Sequence, residues 1–259
     1  MPVIKACFIA FGTYSKLPVP YFEWKEKDME YSICFFPFVG LFLGAASWGW
    51  LWICAKLGIG NMARAAAVIV LNILITGGIH IDGYMDTMDA LHSYQPRDKK
   101  LEILKDAHIG AFAVIMFLVY ILAYAGALPE INYSISPLFA CTFVFSRILS
   151  GFSVVMFKGA KKEGMLYSFS KAANRNIVCA ALVVEFLVMA VVMFCFYGFK
   201  TVILICSLLA VFLYYRYKAY KEFGGITGDL AGWFLCLCEM AGAVTCAGMC
   251  IIRALSETQ

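Results

Sequence analysis

Long apolar runs constrain this 259-residue chain more than anything else in it. Residues 33–57, 62–80, 110–128, 136–157, 177–197, 200–216 and 231–252 each stay apolar over about the 20 residues that a helix needs to cross a bilayer. The runs do not alternate polar with apolar, which disfavours an outer-membrane barrel. Composition agrees: 63% of residues are hydrophobic and 15% charged, where soluble domains sit near one half and about one quarter. The expected fold is therefore all-α, a polytopic integral membrane protein of about seven transmembrane helices. A short amphipathic or re-entrant stretch, Pro2 to Tyr14, precedes them. No linker or repeat interrupts the chain, so residues 1–259 read as one transmembrane domain.

Basic residues divide unevenly between the two ends of such a bundle. Sixteen fall in the N-terminal stretch and in 81–109, 158–176 and 216–230, against four (Lys56, Arg64, Lys200 and Arg253) at the other end. Positive charge accumulates on the cytoplasmic side. The first end is therefore expected to face the cytoplasm, in the plasma (inner) membrane of a prokaryote. The net charge of +4 reads as this asymmetry, with no nucleic acid as partner. No cleavable signal peptide is expected, because Lys5 interrupts the first apolar run. The eleven Cys are scattered without a CxxC or a Cys/His spacing and read as small apolar residues.

The densest chemical signal is Thr76-Gly77-Gly78-Ile79-His80-Ile81-Asp82-Gly83-Tyr84-Met85-Asp86-Thr87-Met88-Asp89. On a helix Asp82, Asp86 and Asp89 stand at i, i+4 and i+7, within one narrow arc. Three like charges there repel one another, unless a divalent cation sits among them. Oxygen donors of this kind suit Mg²⁺, which completes its shell with phosphate oxygens and water. The bland alternative is a solvated acidic helix end. Downstream, Asp106 is a further candidate ligand and Lys105 a candidate phosphate contact, although a Lys-Asp pair at a helix entrance is also ordinary capping. Arg147 lies within an apolar run, where it needs a phosphate or carboxylate partner. The run Phe223-Gly224-Gly225-Ile226-Thr227-Gly228-Asp229 opens the last span. The backbone at Gly225, Thr227 and Gly228 can hold phosphate at a helix N-terminus, and Asp229 can cap the helix or bind metal. His80 is the nearest candidate base, with a core role equally open. Glu239 reads equally as a structural or a functional acid, and Glu185 stands without a motif.

These segments together resemble the cobalamin synthase family along nearly the whole chain. The Leu17-Pro18-Val19-Pro20 turn and Phe36-Pro37-Phe38-Val39-Gly40, then Gly44, match its N-terminal pattern. Its Gly-x-His-x-Asp-Gly-x-x-Asp-Thr-x-Asp hallmark runs from Gly78 to Asp89. Lys105 to Gly110, Ser146-Arg147, and Gly224 to Gly232 follow in order. Where the family usually has Gly and Arg, this chain has Ala90 and His108. The resemblance implies transfer of the phosphocobinamide group of adenosylcobinamide-GDP to α-ribazole or its 5′-phosphate, releasing GMP, with Mg²⁺ as cofactor. It would make Asp82, Asp86 and Asp89 metal ligands, with Asp106 and Asp229 as lesser ones, and would set Arg147 and Lys105 on phosphate. The lipid bilayer and the two small molecules are the implied partners, and a homo-oligomer is compatible with the reading.

Rival readings fit less well. CDP-alcohol phosphotransferases need a longer downstream Gly-x-x-x-Asp-x-x-x-Asp pattern, and aromatic prenyltransferases usually carry two Asp-rich helix faces. An ion-coupled transporter should hold its acids near the bilayer midplane, whereas these lie at the end of a span.

Overall fold

The computed structural model describes residues 2–257. Eleven α-helices account for most of them: α1 (Pro2–Tyr14), α2 (Phe36–Leu57), α3 (Asn61–Thr76), α4 (Ile79–His92), α5 (Arg97–Ile103), α6 (Ala111–Ala127), α7 (Ser136–Met156), α8 (Met165–Ala172), α9 (Arg175–Tyr197), α10 (Phe199–Lys218) and α11 (Gly228–Glu257). Among the described residues the only β pairing is an isolated parallel bridge, Gly159 to Ile226. The chain is a polytopic all-α membrane protein.

Six segments are long and apolar enough to cross a bilayer: Ser32–Leu57, Ala111–Glu130, Ser136–Met156, Arg175–Tyr197, Phe199–Phe223 and Gly228–Glu257. They match six of the seven runs read from sequence. The seventh, 62–80, differs. Helix α3 stops at Thr76 after 16 residues, and α4 leaves at 97° to it, so the run qualifies only as a bent pair. Successive left-handed glycines, Gly77 at φ 65° and Gly78 at φ 78°, make the break, a conformation that is costly for other residues. A 16-residue helix is about 24 Å long, short of the roughly 30 Å hydrocarbon core. Its C-terminal end is nonetheless level with the N-terminal segment, because the Lys16 amide donates to the Ile75 carbonyl at 2.7 Å.

Helix α7 is the centre of the bundle. It buries 89% of its apolar window, whereas α9 buries 11% and leaves the remainder for lipid. Helix α2 packs along α7 with Gly40 and Gly44 set against the α7 backbone, the small-residue approach that lets membrane helices meet closely. A single residue, Gly198 at φ 55°, separates α9 from α10.

The cationic segments meet at one end of the bundle. Lys100 pairs with Glu222 at 2.5 Å, Lys105 with Glu163 at 2.5 Å, Lys171 with Glu26 at 3.0 Å and Lys5 with Asp28 at 3.4 Å. The Asn174 side chain donates to Glu30 at 3.1 Å. At the opposite end Arg64 donates to the Pro129 carbonyl, and Trp50 Nε1 to the Arg64 carbonyl at 3.2 Å. Single Cys labels at 93–100, 165–172 and 219–223, in a background free of accessible Cys, should therefore all react from one side. Reaction of the 165–172 label from the other side would overturn this arrangement.

Candidate active site

Helix α4 carries the acidic stripe, and two contacts fix its level. Gly83 lies against the backbone of Asp229 in the first turn of α11, where a Cβ would come within 2.7 Å of the Asp229 carbonyl. Further along α4, Asp89 lies against Gly110, immediately before α6. The acids thus stand at the N-terminal ends of two spans and at the cationic end of the bundle. Helix α4 is not one of the six segments that qualify as spans by themselves.

Asp82 is exposed, while Asp86 and Asp89 are half-buried. Among the described residues no hydrogen bond or ion pair engages any of the three carboxylates. Burial, and then repulsion from Asp82, Asp229 and Asp89, pushes the Asp86 carboxyl up to about 6. Four carboxylates close enough to repel, three of them without a cationic partner, form a donor set suited to a hard divalent cation. No group of three or more potential ligands among the described residues converges on one point. The stripe is therefore no closed protein cage. A divalent cation held here would need substrate phosphate and water to complete its shell.

Beside Asp82 opens a cavity of about 270 Å³. Its polar lining includes Asp82, Lys161, Thr227 and Asp229, and its apolar walls include Tyr14, Phe36, Val154 and Leu166. Lys161 is brought in by the 158–160 segment, which is pinned to the α11 entrance. The Ile226 amide donates to the Lys158 carbonyl at 2.9 Å and the Ala160 amide to the Ile226 carbonyl at 2.8 Å. Burial draws the Lys161 ammonium below the usual lysine value, and Asp229 opposes that pull.

Not every residue singled out from sequence gathers here. Asp106 accepts from the His108 amide at 3.0 Å, and its carboxylate lies 2.6 Å from His108 Nδ1. These bonds hold its carboxyl below the ordinary range, so it is engaged within its own loop. Lys105 is paired with Glu163. Gly225 is no phosphate donor, because its amide donates to the Ala219 carbonyl at 3.1 Å and the neighbouring Gly224 amide to Tyr220. Thr227 caps α11, accepting from the Leu230 amide at 3.2 Å and donating to Asp229 at 3.3 Å. Gly228 does line the cavity. Arg147 has found the carboxylate that its position calls for: it donates to Glu239, within the core and off this cavity. His80 also lines the cavity, although it is only 7% exposed and its Nε2 is buried without a partner. The sequence reading passed over Lys161, Tyr14 and Phe36. Lys161 carried only the signal of a basic run, Tyr14 entered only as the end of the N-terminal stretch and Phe36 only as part of the family pattern.

The Asp89–Gly110 contact can be tested directly. A methyl group at Gly110 would overlap the Asp89 carboxylate, and that carboxylate can swing away. Gly110→Ala is expected to lower turnover about tenfold, on the scale of a misplaced catalytic group, while the melting temperature in detergent changes little. Unchanged turnover would remove Asp89 from the site.

The family model for cobalamin-5-phosphate synthase matches residues 6–247 of the chain. A protein of Lachnoclostridium phytofermentans named adenosylcobinamide-GDP ribazoletransferase is 44% identical over 243 residues, covering 93% of both chains. One of the same name from Desulfitobacterium hafniense is 32% identical over 251 residues, covering 93% of this chain and 95% of its own. Another, from Clostridium perfringens, is 29% identical over 240 residues, covering 92% and 95%. No solved structure matches the chain.

Proposed function

The chain belongs to the cobalamin-5-phosphate synthase family and is a transferase of cobalamin biosynthesis, and we propose that its acidic α4 face is where the transfer occurs. The substrates are adenosylcobinamide-GDP and α-ribazole, or α-ribazole 5′-phosphate. A ribose hydroxyl of the acceptor attacks the cobinamide-side phosphorus of the donor. The bond from that phosphorus to the bridging oxygen breaks, GMP leaves with that oxygen, and the hydroxyl proton is released. Adenosylcobalamin, or its 5′-phosphate, is the product.

The observation that carries this reading is the unpaired stripe Asp82, Asp86 and Asp89 facing Asp229 at the ends of two spans. Asp82, Asp86, Asp89 and Asp229 would hold Mg²⁺. The bound ion would offset charge on the diphosphate and on departing GMP. Lys161, partly buried beside Asp229, supplies positive charge to phosphate oxygens from the protein's side. The Gly228 amide, in the first turn of α11, can do the same. The outward apolar faces of α6, α9 and α10 contact lipid. The cationic end faces the cytoplasm of a prokaryotic plasma membrane, on the argument from basic residues.

The test is product analysis by mass spectrometry. Purified protein in liposomes, given adenosylcobinamide-GDP, α-ribazole and Mg²⁺, should release GMP and adenosylcobalamin in equal amounts. With the 5′-phosphate as acceptor the corrinoid product gains one phosphate. Failure to form GMP with either acceptor sinks the reading.

A further inference from the structure

Two cavities meet at Asp82, and they differ in character. Ile79 and Asp82 are the residues common to both linings. The smaller, about 270 Å³, lies among the end of α1, the start of α2, and helices α7, α8 and α11. Its inner wall is aromatic and aliphatic: the Tyr14 and Phe36 rings pack with centroids 4.2 Å apart, next to Val154 and Leu166. The larger, about 540 Å³, is open and has no aromatic lining. Small residues such as Thr13, Ser15 and Gly78 form it together with the aliphatic Ile81 and Met85, and the Lys16 side chain also lines it.

Resting on the transferase reading above, we propose that the small aromatic-walled cavity receives the acceptor, base first, and that the donor's diphosphate approaches Asp82 from the open one. Chemistry separates the two. Neither cavity holds a corrinoid carrying GDP whole, so the corrinoid stays outside, and the aromatic-walled one is of the order of a single nucleoside site. A flat base gains from the apolar and aromatic walls, whereas the phosphates belong at the polar rim, where Asp82, Asp229 and Lys161 stand. The polar rim completes the fit. Lys161, with no ion pair among the described residues, stands on the same lining as Asp82 and Asp229. A base seated against Phe36 therefore leaves the ribose directed at the acidic stripe. In-line displacement needs the entering and leaving oxygens on opposite sides of phosphorus, and two entrances sharing one carboxylate allow that without the substrates crossing. The open cavity offers a diphosphate the Lys16 ammonium and room for the corrinoid to remain outside.

The assignment predicts which Michaelis constant each change will move. Leu166→Trp, on the short helix α8, and Val154→Phe, on α7, each fill the small cavity. Both should raise KM for α-ribazole about tenfold or more, on the scale of a pocket occupied by extra methylenes, with KM for adenosylcobinamide-GDP within about twofold of wild type. Thr13→Phe, in the open cavity, should show the reverse. Equilibrium dialysis gives a readout free of turnover. Wild type should retain α-ribazole without donor, Leu166→Trp should lose it, and both should retain GDP equally in the presence of Mg²⁺. Val154→Phe is buried and liable to misfold, so the exposed-helix variant decides if it does. Wild type that makes no adenosylcobalamin would refute the transferase reading. Normal wild-type turnover, with the cavity-filling variants raising the donor KM or moving neither constant, would refute this assignment alone.

Discussion

Asp82→Asn, Asp86→Asn and Asp89→Asn should each lower turnover by at least about a hundredfold, the scale on which removal of one electrostatic element of a transition-state site is felt. The substitution keeps size and hydrogen bonding and removes only charge. Asp82 has no partner to lose, and Asp86 is already pushed up to about 6 by burial and by its acidic neighbours. Insertion and melting temperature without metal should therefore stay near wild type, or improve slightly as repulsion is relieved. Residual activity should need more Mg²⁺. Lys99→Gln makes the control: Lys99 pairs with Glu102 on the exposed face of α5, 63% and 65% accessible, and should lose little. Normal rates in all three Asn variants, at an unchanged Mg²⁺ requirement, would reduce the stripe to a solvated helix end.

The stripe was legible in sequence because its whole geometry lies within one helix, where spacing fixes the arc. The six long spans were legible for a related reason, since lipid imposes both length and apolarity on each helix separately. The broken seventh was not. Apolar residues continue from α3 through Ile79 and Ile81, so hydropathy crosses the bend at Gly77-Gly78 without registering it. Asp106 and Lys105 illustrate the opposite failure. Both lie close in sequence to the acidic helix, yet other partners engage them, the neighbouring His108 for Asp106 and the distant Glu163 for Lys105.

Tertiary register decided what remained hidden. Lys158, Lys161 and Lys162 are alike as a basic run, and only the bridge between Gly159 and Ile226 determines that Lys161 lines the cavity with Asp229. Tyr14 and Phe36 drew no site assignment because nothing local tells a side chain facing lipid from one facing a cavity. Arg147 demanded an anion on physical grounds, but its partner stands 92 residues away. Sequence could state the demand without naming Glu239.

That pair should dominate stability. Arg147 is 1% and Glu239 8% exposed, and they meet at the centre of the bundle, with the guanidinium also donating to Ser146 at 3.1 Å and lying 5.7 Å from the Phe143 ring centroid. Removing one member leaves a charge buried without its counterion, which costs about 3–5 kcal/mol. Arg147→Ala and Glu239→Ala should therefore each lower the melting temperature in detergent sharply and reduce the yield of inserted protein. Arg147→Lys keeps the charge but not the planar guanidinium, and should fall between these and wild type. Removing both charges separates structure from catalysis. Arg147→Met with Glu239→Leu replaces the pair by apolar groups of similar length, a change that is often neutral for buried pairs. The double variant should recover most of the lost stability, and with it most of the turnover, because neither residue lines the cavity at Asp82. Recovered stability with turnover still down a hundredfold would return Arg147 to the phosphate.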